Sequence, residues 1–240
     1  MLWQHNGGPM TQGLLDGDMY AFRCAASAEQ EPEEIAILRL DGMLRESLSK
    51  VDNYKLPLSG PNNFRYKIYP DYKANRKGKP KPIHLAACQQ FLIEEYGAFF
   101  TDGCEADDFL GYSQIEDSIV FCNDKDLLMI PGFHYNPVTG VYKEISELDG
   151  LKQFYRQLLI GDTADNVKGV DGIGKVKAAK LIDHLETEYE MYRVVKDLYY
   201  PVLDCKLLAD EERFEVNCDL LWIWRNLNER FSDRKWQTKS

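Results

Sequence analysis

Two short apolar runs, each delivering acidic residues at its end, constrain this chain most. Leu14-Leu15 leads into Asp16-Gly17-Asp18, and Ser118-Ile119-Val120-Phe121-Cys122 leads into Asn123-Asp124-Lys125-Asp126. The second run is continuous and of strand length, the pattern of a strand covered on both faces. Residues 19–28, 33–51, 85–96 and 106–115 read as helices, the last opened by Glu105. Strands alternating with helices predict an α/β fold with a mostly parallel central sheet flanked by helices. Sheets of this kind form their sites at the carboxyl ends of strands, where both sets of acids fall. Residues 54–58 read as an edge strand, because Pro57 has no N–H for a ladder. Residues 133–145 read as a hairpin around Thr139-Gly140. Helices dominate from residue 146 onward, which divides the chain into an α/β region, 10–145, and a helical region, 146–240.

The second informative stretch is Gly161-Asp162-Thr163-Ala164-Asp165-Asn166-Val167-Lys168-Gly169-Val170-Asp171-Gly172-Ile173-Gly174-Lys175. Gly169, Gly172 and Gly174 permit positive φ and close backbone approach, and a helix follows from about Val176. A tight turn opening a helix offers free N–H groups to an anion, and Lys168, Lys175, Lys177 and Lys180 add charge. Residues 161–184 therefore read as a helix-hairpin-helix element that grips a nucleic-acid strand by its phosphates without reading bases. Gly169 to Lys175 also fits G-x-x-x-x-G-K, but Val176 stands where a P-loop needs Ser or Thr. A plain connection between helices, with no ligand, stays open as well.

Acids recur in four groups: Asp16/Asp18, Glu105/Asp107/Asp108, Asp124/Asp126 and Asp162/Asp165. Glu105 and Asp108 share a helix face, and Asp162 and Asp165 have the same spacing. Asp124 and Asp126 share one side of an extended chain. Gathered carboxylates repel unless cations separate them. Without paired histidines or C-x-x-C spacing, the donors are oxygen only, which suits Mg²⁺ or Mn²⁺. Two such ions hydrolyse phosphodiesters by activating water and stabilising the leaving oxygen. Each group taken alone reads more readily as a helix cap or a solvated turn, and it is the four together, beside the glycine hairpin, that favour a metal site.

The net charge of −10 argues against simple coating of nucleic acid. Between Lys55 and Lys81, however, there are eight basic residues and one acid, so the charge is concentrated where phosphates could be held. Pro61, Pro70, Gly78, Pro80 and Pro82 make residues 61–84 a loop or broken helix. The six cysteines read as buried, reduced thiols. Residues 1–9 show no signal-peptide pattern and read as a loose tail, with Met10 nearer the start of the fold. No apolar run reaches membrane-span length, so no membrane partner is expected.

These motifs together resemble the bacteriophage 5′→3′ exonucleases and flap endonucleases, relatives of the 5′-nuclease domain of bacterial DNA polymerase I. The carriers are Leu15-Asp16-Gly17-Asp18, Phe64-Arg65 with Tyr72-Lys73-Ala74-Asn75-Arg76, Glu105-Ala106-Asp107-Asp108, Asp124-Lys125-Asp126 and Gly161 through Gly174, in that order. The resemblance implies a PIN-like 5′-nuclease core in which Asp16, Glu105, Asp107, Asp108, Asp124, Asp126, Asp162 and Asp165 surround two divalent ions. It implies that Lys73 and Arg76, with Asp107 and Asp124, are catalytic, and that Lys73 and Arg76 contact the scissile phosphate from the base of a helical arch in 61–84. Arg65, Tyr72, Lys73, Arg76, Lys168, Gly169, Gly172, Gly174, Lys175 and Lys177 would contact DNA, with Tyr72 stacking on a terminal base and a K⁺ ion at the glycine hairpin. Ordinary packing is the plainer reading of Tyr66 and Tyr69.

The implied substrate is duplex DNA with a 5′ end or flap, or the RNA of an RNA·DNA hybrid. The implied setting is a monomer in the cytoplasm, the host's if the chain is phage-encoded. One departure stands out. The family places an aspartate a few residues before Phe-Arg, whereas Leu58-Ser59-Gly60-Pro61-Asn62-Asn63 has no acid. The short segment between Arg76 and Leu85 also argues against a tall closed arch. A catalytically weakened protein that binds DNA ends or junctions, and a PIN-type ribonuclease, are the alternatives.

Overall fold

The computed structural model describes residues 11–200 and 207–234. The tail at residues 1–9 and its Met10 boundary lie outside the described residues, as does Cys205.

Strand β1 (Gln12–Leu15) runs into helix α1 (Gly17–Ser27), followed by α2 (Glu33–Leu48) and β2 (Asn53–Lys55). β3 (Pro57–Leu58), α3 (Arg65–Ile68), α4 (Leu85–Tyr96), β4 (Phe99–Phe100), α5 (Ala106–Ser113) and β5 (Ser118–Phe121) complete the first half. The hairpin β6 (Gly132–Asn136) and β7 (Val141–Ile145) precedes α6 (Glu147–Ile160). The short pair β8 (Gly161–Asp162) and β9 (Val167–Lys168) then leads to α7 (Lys175–Ile182), α8 (Glu188–Tyr199) and α9 (Leu207–Leu221).

The central sheet has the order β2-β1-β5-β6-β7, parallel throughout except for the antiparallel β6–β7 hairpin. The chain leaves β1 for β2 on one side and later returns to place β5 on the other. The strand order therefore reverses between β1 and β5, and a crevice opens beyond their carboxyl ends. Leu14, Leu15, Val120 and Phe121 are fully buried, as two-sided cover requires.

Residues 54–58 are not one strand. Asn53–Lys55 pairs with β1, while Pro57–Leu58 leaves the sheet and pairs with Phe99–Phe100. In that second ladder Phe99 N–H donates to Leu56 O and Thr101 N–H to Leu58 O, so Pro57 is never asked for a proton.

Helix α6 carries Leu151, Phe154, Tyr155, Leu158 and Leu159 on one buried stripe and is capped by Ser146, whose hydroxyl accepts from Asp149 N–H. Its stripe joins a core that also holds Leu14, Val120, Phe214, Trp222 and Phe231, so apolar packing continues from the sheet into the helical region. The described cysteines, 24, 88, 104, 122 and 218, are free and buried. Among the described residues no helix is long and apolar enough to cross a membrane.

Candidate active site

Of the acids expected at strand ends, Asp16 and Asp124 lie near enough beyond β1 and β5 to feel each other's charge. Asp16 follows β1 directly and serves as N-cap of α1, its carboxylate accepting Met19 N–H at 3.0 Å. Only 5% of it is exposed. Burial first, then the charges of Asp18 and Asp124, push its carboxyl up to about 7. Asp107, in the first turn of α5, is also raised: by burial, then by Asp16, Asp124 and Glu105, with Lys73 opposing. Asp124 follows β5 and orders the turn by accepting Asp126 N–H at 2.9 Å. Three chain segments thus aim acids at one place, and the raised carboxyls record the cost of holding like charges out of water.

A second group faces this one. Lys73 is ion-paired with Glu105 and lies 3.7 Å from Asp165. Arg76 is ion-paired with Asp165 and donates from Nε to Ala164 O at 3.0 Å. Burial would raise Glu105, but Arg65 and Lys73 outweigh it and hold its carboxyl below the usual range. Burial likewise opposes the charge on Lys73, and Glu105 and Asp165 more than restore it, so its ammonium is kept protonated. The turn at 71–76 is clasped to the turn at 163–166: Lys73 N–H donates to Asp165 O at 2.9 Å, and Asn166 Nδ2 to Asp71 O at 2.9 Å. Lys73 takes φ of 56° there, a left-handed conformation unusual outside glycine.

The structure departs from the expected ring of eight ligands. Asp108 is wholly buried, and its oxygens are taken by Arg65 at 2.5 and 2.8 Å, by Glu105 N–H at 3.0 Å and by Trp224 N–H at 3.3 Å, so none is left for a metal. Arg65, expected on DNA, is 2% exposed and also donates to Leu220 O and Trp222 O. Tyr72, expected to stack on a base, is buried, its hydroxyl 2.7 Å from Asp165 and 3.0 Å from Glu105. Tyr66 is exposed and meets the Tyr72 ring edge-on, whereas Tyr69 packs on the core as expected. Asp126 is paired with Lys125 at 2.8 Å. Asp162 caps its own turn, accepting Ala164 N–H at 2.7 Å and Asp165 N–H at 3.2 Å. Among the described residues, no three His, Cys, Asp or Glu side chains stand close enough to cage an ion as they are.

Asp16, Asp107 and Asp124 nevertheless fit a hard divalent cation. They are oxygen donors, and a cation would offset the burial and repulsion that raise Asp16 and Asp107. Cys122 is buried beside the same acids, its thiol pushed up by burial and then by Asp16, Asp107 and Asp124. Lys125, whose ammonium feels Asp126, Asp162 and Asp124, links the two acidic ends. Both lie in stretches singled out in the sequence, but neither was assigned to the site. Cys122 could have been found from its place as the last residue of the buried run.

In the glycine hairpin the glycines do different work. A Cβ on Gly169 would lie 2.4 Å from Gly161 N and 2.5 Å from Leu159 O, so Gly169 is buried against the end of α6, where glycine serves close backbone packing. Gly172 has φ of 74° and is open, and Gly174 is the N-cap of α7 without a side-chain cap. Lys168, Lys175 and Lys177 are exposed, the first paired with Asp171 at 3.0 Å. No phosphate-binding strand–loop–helix precedes α7: β9 is only two residues long.

No protein-family model matches the chain. A 5′-3′ exonuclease of Buchnera aphidicola subsp. Schizaphis graminum is 26% identical over 213 residues, 77% of this chain and 74% of that protein. The DNA polymerase I of Rhizobium leguminosarum is 31% identical over 188 residues, which are 68% of this chain but 17% of the polymerase. A flap endonuclease of bacteriophage T5, solved as a pseudo-enzyme–product complex with DNA and metal ions, superposes with a TM-score of 0.62 at 18% identity over 88% of each chain. The resemblance first seen in the motifs is borne out, and the likeness to the T5 protein bears out the α/β fold.

Proposed function

We propose that this relative of the 5′→3′ exonucleases and flap endonucleases is a divalent-metal-dependent hydrolase of the DNA backbone, acting from 5′ ends or at 5′ flaps. The observation that carries the reading is the convergence of Asp16, Asp107 and Asp124 in the crevice between β1 and β5, facing Lys73. The names of the related proteins support it.

Asp16, Asp107 and Asp124 would hold the ions, with Glu105, Asp126, Asp162 and Asp165 at the margin. Mg²⁺ or Mn²⁺ bound there would supply Lewis acidity and lower the pKa of the attacking water. The chain's own part is positioning and charge. Glu105 and Asp165 keep the Lys73 ammonium protonated, and Arg76 is ion-paired with Asp165, so an arriving phosphate exchanges for carboxylates already paired with both. Aimed at the scissile phosphate, these fixed cations favour the charge that develops during cleavage. Bound cations would offset the burial and like charge that raise Asp16 and Asp107.

Residues 161–184 would act as the helix-hairpin-helix, with the open Gly172 and Gly174 and the exposed Lys168, Lys175 and Lys177 on the duplex backbone, and a K⁺ ion at the hairpin. Binding by phosphate contacts of this kind is salt-sensitive and blind to sequence. The division into residues 10–145 for chemistry and 146–240 for duplex holding is part of the same reading. So are the basic segment 61–84 as a low arch, cleavage of RNA in RNA·DNA hybrids, a monomeric state and a cytoplasmic setting.

The test is a 5′-labelled duplex, with and without a flap, incubated with Mg²⁺, Mn²⁺ or EDTA. Short labelled products that require the metal are expected. Tight binding with no cleavage under any condition would favour a protein that only recognises DNA ends, and a preference for single-stranded RNA would favour a PIN-type ribonuclease.

A further inference from the structure

We propose that Ser59, held by Asp18, is a positioning residue that sets the separation of Asp16 and Asp107. The inference rests on the reading of those acids as metal ligands.

Ser59 lies just past β3, where three elements meet. Its backbone N–H donates to Asp18 Oδ2 at 2.9 Å, in the first turn of α1. Its hydroxyl oxygen accepts Ala106 N–H at 2.9 Å, the first residue of α5. One residue before Asp18 is Gly17, and one residue before that is Asp16. One residue after Ala106 is Asp107. A single serine therefore ties the helix start that carries one acid to the helix start that carries the other.

The close approach is built into neighbouring residues. A Cβ on Gly17 would lie 2.5 Å from Pro57 O, so only glycine lets α1 begin against β3. A Cβ on Gly60 would lie 2.0 Å from Thr101 O, because β3 and β4 press together at that point. A side chain at position 60 would collide with Thr101 O, and Ser59, one residue earlier, supplies the hydroxyl that reaches α5. The first N–H groups of a helix lack partners within it, and Ser59 supplies one for α5. Asp16 and Asp107 repel, so a link that fixes their spacing opposes a standing force.

Four variants separate the hydrogen bonds from packing and charge. Ser59→Ala keeps the N–H to Asp18 but loses the oxygen that receives Ala106, and Ser59→Thr restores that oxygen. Asp18→Asn keeps an acceptor for Ser59 N–H, and Asp18→Ala removes it at the same loss of charge. Each is compared with the parent protein by Mn²⁺ affinity, read from the electron paramagnetic resonance of free Mn²⁺, and by kcat and KM on 5′-labelled duplex.

Ser59→Ala is expected to bind Mn²⁺ roughly tenfold more weakly and to lose kcat in proportion, with KM for DNA unchanged, as for other residues that orient a ligand from behind. Ser59→Thr should recover both, and Asp18→Ala should fall below Asp18→Asn. Mn²⁺ affinity in Ser59→Ala within about twofold of the parent would overturn the proposal. So would equal impairment of Ser59→Ala and Ser59→Thr, which would mark packing instead of the hydroxyl. A parent that neither binds Mn²⁺ nor cuts DNA overturns the proposed function and this inference with it. A parent that does both while Ser59→Ala matches it overturns this inference alone.

Discussion

The guanidinium of Arg65 meets both carboxylate oxygens of Asp108, at 2.5 and 2.8 Å, in the protein interior. Arg65 also donates to Leu220 O and Trp222 O, and Asp108 accepts from Trp224 N–H. The pair fastens the root of the basic segment and the start of α5 to the end of α9, whose terminal carbonyls favour a cation. Its position between three elements makes it part of the frame on which the acids are mounted.

Removing one partner leaves the other charge buried and alone, which typically costs about 3–5 kcal/mol. Asp108→Ala should therefore lower the urea midpoint strongly while leaving Mn²⁺ binding intact in whatever fraction stays folded. A variant of unchanged stability that has lost Mn²⁺ would return Asp108 to the ligands.

Asp124 makes the opposite prediction. Its carboxylate accepts Asp126 N–H within its own turn, an acceptor that Asn retains, so Asp124→Asn should fold and bind duplex as the parent does. Cleavage should fall by more than the roughly 100-fold upper range of outer-shell changes. Circular dichroism and a binding isotherm beside the cleavage assay check this, and an active variant would remove Asp124 from the site.

The raised carboxyl of Asp16 has a sign that can be measured. A carboxyl held at about 7 in the folded protein, against an ordinary 3.8, binds its proton more tightly folded than unfolded. Its stabilising contribution is full below about 3.8 and is lost as pH rises through about 7. Asp107 acts in the same sense. In EDTA, Asp16→Asn should thus gain stability relative to the parent as pH rises over that window. The difference should shrink when Mn²⁺ is present, because the cation stabilises the ionised form. Denaturation midpoints at several pH values test it, and a parent–variant difference independent of pH would contradict it.

At the hairpin, Lys175→Ala should weaken duplex binding modestly and equally for all sequences, and lower the slope of log affinity against log salt by about one. Fluorescence anisotropy across a salt series reads both quantities. An unchanged slope would turn the start of α7 away from the DNA.

How much of this was legible in the sequence depended on the range of the interaction. Asp16 and Asp124 were readable because each follows a buried strand, and strand ends in such sheets converge. Asp107 was readable from the helix start that Glu105 caps. Arg65 and Tyr72 were placed on DNA by the family resemblance, and a motif match does not show whether a side chain is buried. What buries Arg65 is a carbonyl at Leu220, 155 residues away. Gly169 was misread because glycine serves equally for anion approach and for backbone packing, and only its contact with Gly161 and Leu159 decides between them. The strand at 54–58 broke because Pro57 suits a ladder that asks nothing of its nitrogen, and that partner, Phe99–Phe100, lies far along the chain.

The most direct measurement is a crystal of the protein soaked in Mn²⁺, with the ion located by its anomalous scattering. The account predicts Mn²⁺ between Asp16, Asp107 and Asp124 in the crevice beyond β1 and β5, with Asp108 still paired to Arg65. Anomalous peaks confined to other surfaces, or none at an Mn²⁺ concentration that supports cleavage, would contradict it.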